Sequence, residues 1–108
     1  MNQYQSEAKR TASRSKLKKD HLMNYTLGLS GEAGEVADIV KKHLFHGHPL
    51  DEKALKDELG DVLWYLANLA SSAGINLQDI ADHNIQKLYA RYPDGFSEER
   101  SINREDNQ

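Results

Sequence analysis

Apolar residues return at helical spacing in four segments of this chain, and no segment alternates at the two-residue period of a strand. Asn2 is placed to cap a first helix, with Gln5 at the capping-box position, and that helix is expected to reach Ala12 or Ser13. Ser13 to Lys19 carries no clear period and reads as a connection. Asp20 is the expected cap of a long second helix with apolar positions Leu22, Met23, Leu27, Leu29, Val36, Ile39, Val40 and Leu44. Gly47 stops it and Pro49 follows. Gly28, Gly31 and Gly34 recur every three residues inside that helix. Each costs about 1 kcal/mol relative to alanine, so the pattern predicts either a kink near Gly28 to Gly31 or close approach of another group. Asp51 caps a third helix running to about Ser72, with Gly74 behind it and an apolar face of Leu55, Leu59, Val62, Leu63, Leu66, Leu69 and Ala70. Asn76 caps a fourth, with Asp79 at the box position and Leu77, Ile80, Ile85 and Leu88 as its buried side. Tyr92-Pro93-Asp94-Gly95 ends it with turn chemistry. The fold class is therefore all-α, a four-helix-type bundle with short connections.

With 108 residues the chain has room for one core. A single helical domain is expected over residues 1–96, and the charged residues 97–108 are expected to fray. One copy's few helices leave apolar surface over, which predicts a homodimer or a dimer of dimers. There is no cysteine, so disulfide and thiolate chemistry are excluded. No apolar run approaches the roughly 18 residues of a membrane span, and the N-terminus lacks a signal-peptide core, so a cytoplasmic protein is expected. The net charge of -3 is unevenly spread. Lys9, Arg10, Arg14, Lys16, Lys18 and Lys19 form a run without an acid between its ends, which is either a solvated helix end and loop or a contact for phosphate-bearing partners.

Two short acidic motifs, Glu32-Ala33-Gly34-Glu35 and Glu58-Leu59-Gly60-Asp61, change the picture most. Each sets two carboxylates three residues apart, which on a helix is one face and about one turn. Acids at this spacing occur by chance in helical proteins as solvated surface pairs. Here, however, they are embedded among small and apolar residues, with Leu29, Gly31, Ala33, Gly34 and Val36 around one pair and Leu55, Leu59, Gly60, Val62 and Leu63 around the other. If the two helices pack, four carboxylates meet. Like charges about 4 Å apart repel by roughly 4 kcal/mol per pair at an effective dielectric near 20. Such a group persists only with shared protons or a cation, and an all-oxygen set suits Mg²⁺ or Mn²⁺ rather than zinc or copper.

These residues resemble the E-x-x-E…E-x-x-D signature of the MazG-like nucleoside triphosphate pyrophosphohydrolases, an all-α superfamily; twenty-two residues separate Glu35 from Glu58. Phe45-His46-Gly47-His48-Pro49-Leu50 is similar to that family's inter-helix loop. The segment from Asn84 to Phe96 is similar to its C-terminal block, and Asn2-Gln3-Tyr4-Gln5 to the opening of its shorter members. One departure is Gly31, which stands where many members carry the first of two glutamates. The resemblance implies a helical bundle assembling as a dimer or tetramer. It also implies metal-dependent hydrolysis of a (deoxy)nucleoside triphosphate to the monophosphate and pyrophosphate. Glu32, Glu35, Glu58 and Asp61 would hold Mg²⁺ (or Mn²⁺), and Glu35 or Glu32 would take the proton of the attacking water.

Asn84, Lys87 and Arg91 share a face of the fourth helix. They are either an ordinary solvated helix end or a polar fork for the outer phosphates, and the family match favours the fork for Asn84 and Lys87. Trp64 and Tyr65, one turn beyond Asp61, are candidates for a base pocket, although Trp64 fits the core as well; Tyr4 and Tyr25 are weaker candidates. Lys41 and Lys42 read as solvent-facing. His43, His46 and His48 would need a fourth ligand to make a zinc site, and none is evident. Two rivals to the hydrolase remain. One is a nucleic-acid-associated accessory module using the basic 9–19 stretch, against which the acidic remainder counts. The other is a helical interaction module without catalysis, against which the four intact acids count.

Overall fold

The computed structural model describes residues 1–12 and 17–95. Among them are four α-helices and no strand: α1 (Asn2–Ala8), α2 (Lys18–Phe45), α3 (Glu52–Ser72) and α4 (Leu77–Arg91), with a 3₁₀ turn (Lys9–Thr11) after α1. The all-α reading therefore stands. Arg14 and Lys16 of the basic run, the greater part of the Ser13–Lys19 connection, Phe96 and the 97–108 tail lie outside the described residues.

The caps of α3 and α4 follow the sequence reading. Asp51 Oδ1 accepts the Ala54 N–H at 2.9 Å, and Asn76 Oδ1 accepts the Gln78 N–H at 2.9 Å. Gly74 turns the chain between them at φ +73°, a conformation that favours glycine. The other two caps differ. α1 begins after Met1 with no side-chain cap, and the Gln5 side chain points into the fold instead. α2 begins after Leu17, also without a side-chain cap, and places Asp20 within its first turn, where a negative charge suits the helix dipole.

α2 runs unbroken through its three glycines and packs along α3 as an antiparallel hairpin. Gly28 is required by that packing, because a Cβ there would run into the Tyr65 ring of α3. Gly31 and Gly34 have nothing within 4 Å of such a Cβ. Gly28→Ala is thus expected to destabilise by about 1–2 kcal/mol, since overpacking costs about 1–3 kcal/mol and improved helix propensity returns up to about 1. Gly31→Ala should be neutral or stabilising. Equal melting temperatures for the two variants would count against the packing.

α1 lies across the C-terminal half of α3. Its Ala8 joins Ala67 and Leu77 in the buried core, with Tyr4, Leu63, Trp64, Leu66 and Ile80 around them. Gln5 ties the corner where three helices meet. Its Nε2 donates to Ser71 Oγ (3.0 Å) and to the Ile75 carbonyl (2.9 Å), and its Oε1 accepts the Leu77 N–H (2.8 Å). Asn68 is buried beside it, and its Nδ2 donates to the Ala8 and Trp64 carbonyls.

The sequence reading overstates what one chain buries. Met23, Leu27 and Leu44 of α2, Leu59 of α3 and Ile85 and Leu88 of α4 are exposed. For α4 the reason is geometric: it leaves the hairpin after its first turn, burying Leu77 and half-burying Ile80, and every residue from Asp82 to Ala90 is exposed. No described helix is long and apolar enough to cross a membrane.

Candidate active site

The seam between α2 and α3 sets the site. An antiparallel pair that brings Tyr65 onto Gly28 brings Glu58 and Asp61 opposite Glu32 one turn away, because four residues advance each helix by about 6 Å. One carboxylate oxygen each from Glu32, Glu58 and Asp61 lies within 4.8 Å of the others. Glu32 and Glu58 are half-buried and Asp61 is exposed, so the group opens to solvent on one side. Glu35, a turn further along α2, is exposed and lies outside this trio.

The electrostatics are those of carboxylates crowded together. A side-chain hydrogen bond with Glu32 pushes the Glu58 carboxyl above the usual glutamate value; loss of solvent and the charges of Glu32 and Asp57 act in the same direction. Glu58 Oε2 is shut off from water and has no hydrogen-bond partner. An oxygen in that position is normally satisfied. With three hard donors from two rigid helices, the residues present fit a small divalent cation.

Aromatic residues form the wall next to the acids. Trp64 and Tyr65 meet edge to face at 5.0 Å, and Tyr25 lies 5.7 Å from Trp64 and 6.4 Å from Tyr65. His21 extends the cluster at 6.0 Å from Tyr25. Tyr25 is only 1% exposed, so it has no free face for a base. Trp64 and Tyr65 are half-buried, and the Trp64 indole N–H is engaged at 2.8 Å by Thr11 Oγ1. Tyr4 of α1 approaches from the other side. Burial and the charge of Asp61 both raise its phenol above the ordinary tyrosine value. The capping-box position of Gln5 in the sequence did not announce that it would hold α1, and Tyr4 with it, against this wall.

The remaining candidates are elsewhere. Asn84 and Lys87 are exposed and Arg91 is half-buried, all on the diverging helix α4. Lys42 pairs with Asp38 at 3.1 Å, and both side chains are largely exposed. The histidines serve the turn after α2: His43 Nδ1 bonds to the His48 carbonyl at 2.9 Å, and among the described residues His43, His46 and His48 do not converge on a metal position. Lys9 and Arg10 are exposed, and Arg10 pairs with Glu7 at 3.2 Å.

The family model described as the MazG nucleotide pyrophosphohydrolase domain matches residues 20–96, which include all four acids and the α4 residues. The gene 37 protein of Mycobacterium phage L5 is 39% identical over 83 residues, covering 73% of this chain and 73% of that protein. No solved structure matches significantly.

Proposed function

Since the chain belongs to the MazG nucleotide pyrophosphohydrolase family, we propose that it hydrolyses a (deoxy)nucleoside triphosphate to the monophosphate and pyrophosphate with Mg²⁺ or Mn²⁺. The observation carrying this reading is the convergence of Glu32, Glu58 and Asp61 across the α2–α3 seam. These three hold the cation, and Glu35 stands one turn from Glu32 as a fourth ligand or as the base. Bound there, the cation supplies the positive charge that lets a triphosphate with about four negative charges approach a cluster of acids and makes phosphorus more electrophilic. Water attacks, the bond between the α-phosphorus and the bridging oxygen breaks, and Glu35 or Glu32 receives the water proton. Lys87 and Arg91 offset the charge of the departing pyrophosphate, and the Asn84 amide donates a hydrogen bond to it. Trp64 and Tyr65 flank the base, and the chain works as a homodimer or dimer of dimers.

The test is a panel of triphosphates incubated with and without Mg²⁺. Monophosphate and pyrophosphate should appear together, and only with metal. Inorganic phosphate as the first product, or turnover in excess chelator, would overturn the assignment.

Metal binding should also stabilise the fold in a pH-dependent way. Glu58 ionises less readily folded than unfolded. Below the ordinary glutamate pKa both states are protonated and nothing is lost. As pH rises above it, the metal-free fold loses stability until the raised pKa is passed. A cation favours the ionised form, so the rise in melting temperature caused by Mn²⁺ should be larger at about pH 7.5 than at about pH 5. An equal rise at both values would show that these acids do not bind it.

A further inference from the structure

We propose that a cavity at the tip of the α2–α3 hairpin receives the terminal phosphate of the substrate, and that Lys42 on its wall makes the site prefer a nucleoside triphosphate to a diphosphate. The proposal rests on the reading of the function above and deepens it by saying how the length of the phosphate chain is measured.

The seam keeps one register from end to end. Gly28 lies against Tyr65, and one turn along Glu32 converges with Glu58 and Asp61. In the same register Ile39 comes level with Ala54, and Lys42 with Asp51. These four residues line an open cavity of about 500 Å³, and the connecting residues His48, Pro49 and Leu50 complete its wall. Ile39 is seven residues beyond Glu32, and Ala54 seven before Asp61. On an α-helix that is two turns, about 10 Å, on nearly the same face. Aromatic wall, acids and cavity thus follow one another in line.

That order gives the substrate a direction. With the base beside Tyr65 and the cation among the acids, the phosphate chain runs away from the aromatic wall, and its free end points to the hairpin tip. Lys42 is placed to meet it there. It stands seven residues beyond Glu35, on the same face of α2. Its Nζ pairs with Asp38 Oδ2 at 3.1 Å, which draws the ammonium back one turn toward the acids. The Lys42 side chain is 57% exposed, and an ammonium has three donors, so the pair with Asp38 leaves it able to bind a phosphate oxygen as well. Asp51, the acid on the cavity wall, has its Oδ1 held by the Ala54 N–H at 2.9 Å, where the positive end of α3 offsets its charge. Lys42 and Glu32 belong to one unbroken helix, so the ammonium keeps a set distance from the cation position. A diphosphate ends short of it.

The test compares the KM of a nucleoside triphosphate with the inhibition constant of the matching diphosphate, in the wild type, Lys42→Ala and Lys42→Arg. An exposed ion pair contributes little to stability, so both variants should fold. Lys42→Ala should raise the triphosphate KM roughly tenfold or more, as expected for one charge-assisted hydrogen bond. It should leave the diphosphate constant and the Mn²⁺-induced rise in melting temperature unchanged, and Lys42→Arg should restore most of the loss. Equal weakening of both nucleotides, or of neither, would overturn the proposal. Should the wild type hydrolyse no triphosphate, the assigned function fails instead, and the cavity is then read by calorimetry with Mn²⁺ and either tripolyphosphate or pyrophosphate. Tighter binding of tripolyphosphate that Lys42→Ala abolishes supports its role; no preference in the wild type, or one that survives the substitution, refutes it.

Discussion

Glu58→Gln is expected to lower triphosphate turnover by on the order of 10²- to 10³-fold or more while leaving the helices intact. Glutamine keeps the size of the side chain and one carbonyl oxygen but cannot supply the charge that a divalent cation requires. The loss should fall on kcat and on metal affinity together, because Glu58 is half-buried and its Oε2 has no other partner. Stability should move the other way. In chelator the wild-type fold carries a carboxyl held against Glu32, and the amide removes one of the two opposing charges. The melting temperature of the variant in chelator should equal or exceed that of the wild type, and Mn²⁺ should no longer raise it. Circular dichroism melts with and without metal, beside a coupled pyrophosphate assay, measure both. A variant that unfolds, or one that turns over normally, removes Glu58 from the site.

The second large effect is on stability alone. Gln5→Ala should cost about 2–4 kcal/mol, since it deletes three hydrogen bonds and leaves the Leu77 N–H and the Ile75 carbonyl without their partner. The Leu77 residue is 2% exposed, so water is poorly placed to replace the amide. For a domain of this size that lowers the melting temperature by about 10 °C or more, compared at equal protein concentration because association contributes to it. Gln5→Glu is the informative companion: it keeps an acceptor for Leu77 but turns a carboxylate oxygen toward the Ile75 carbonyl at neutral pH. It should be no better than alanine at pH 7 and recover in acid. A melt within about 2 °C of wild type would show that the corner does not depend on Gln5.

Most of this fold is written locally, and the exceptions share a cause. Asp51, Asn76 and Gly74 act on backbone groups two to three residues away, and their roles can be read from a few letters of sequence. Gln5 sits at a box position of the same kind, yet its partners are residues 71, 75 and 77, and no local rule weighs a bond to a residue that distant against a cap next door. Asp20 misleads in a milder way, since the N-cap of α2 is Leu17, three residues earlier. The acids were legible because helical period and apolar surroundings together place Glu32, Glu58 and Asp61 on facing sides of one seam. Periodicity marks an apolar stripe on α4, of which the structure buries Leu77 and half-buries Ile80 but leaves Ile85 and Leu88 exposed. It says nothing about what covers the stripe, and for Ile85 and Leu88 nothing within the described chain does.

The polar knot at Gln5 also orders events during synthesis. α2 and α3 adjoin in sequence and can zip together as they leave the ribosome. α1, though made first, has its docking ground in residues 64 to 77 and must wait for about seventy more residues to be added. Until then the aromatic wall has no roof. A nascent chain arrested before Leu77 should therefore hold a paired hairpin with its first helix adrift.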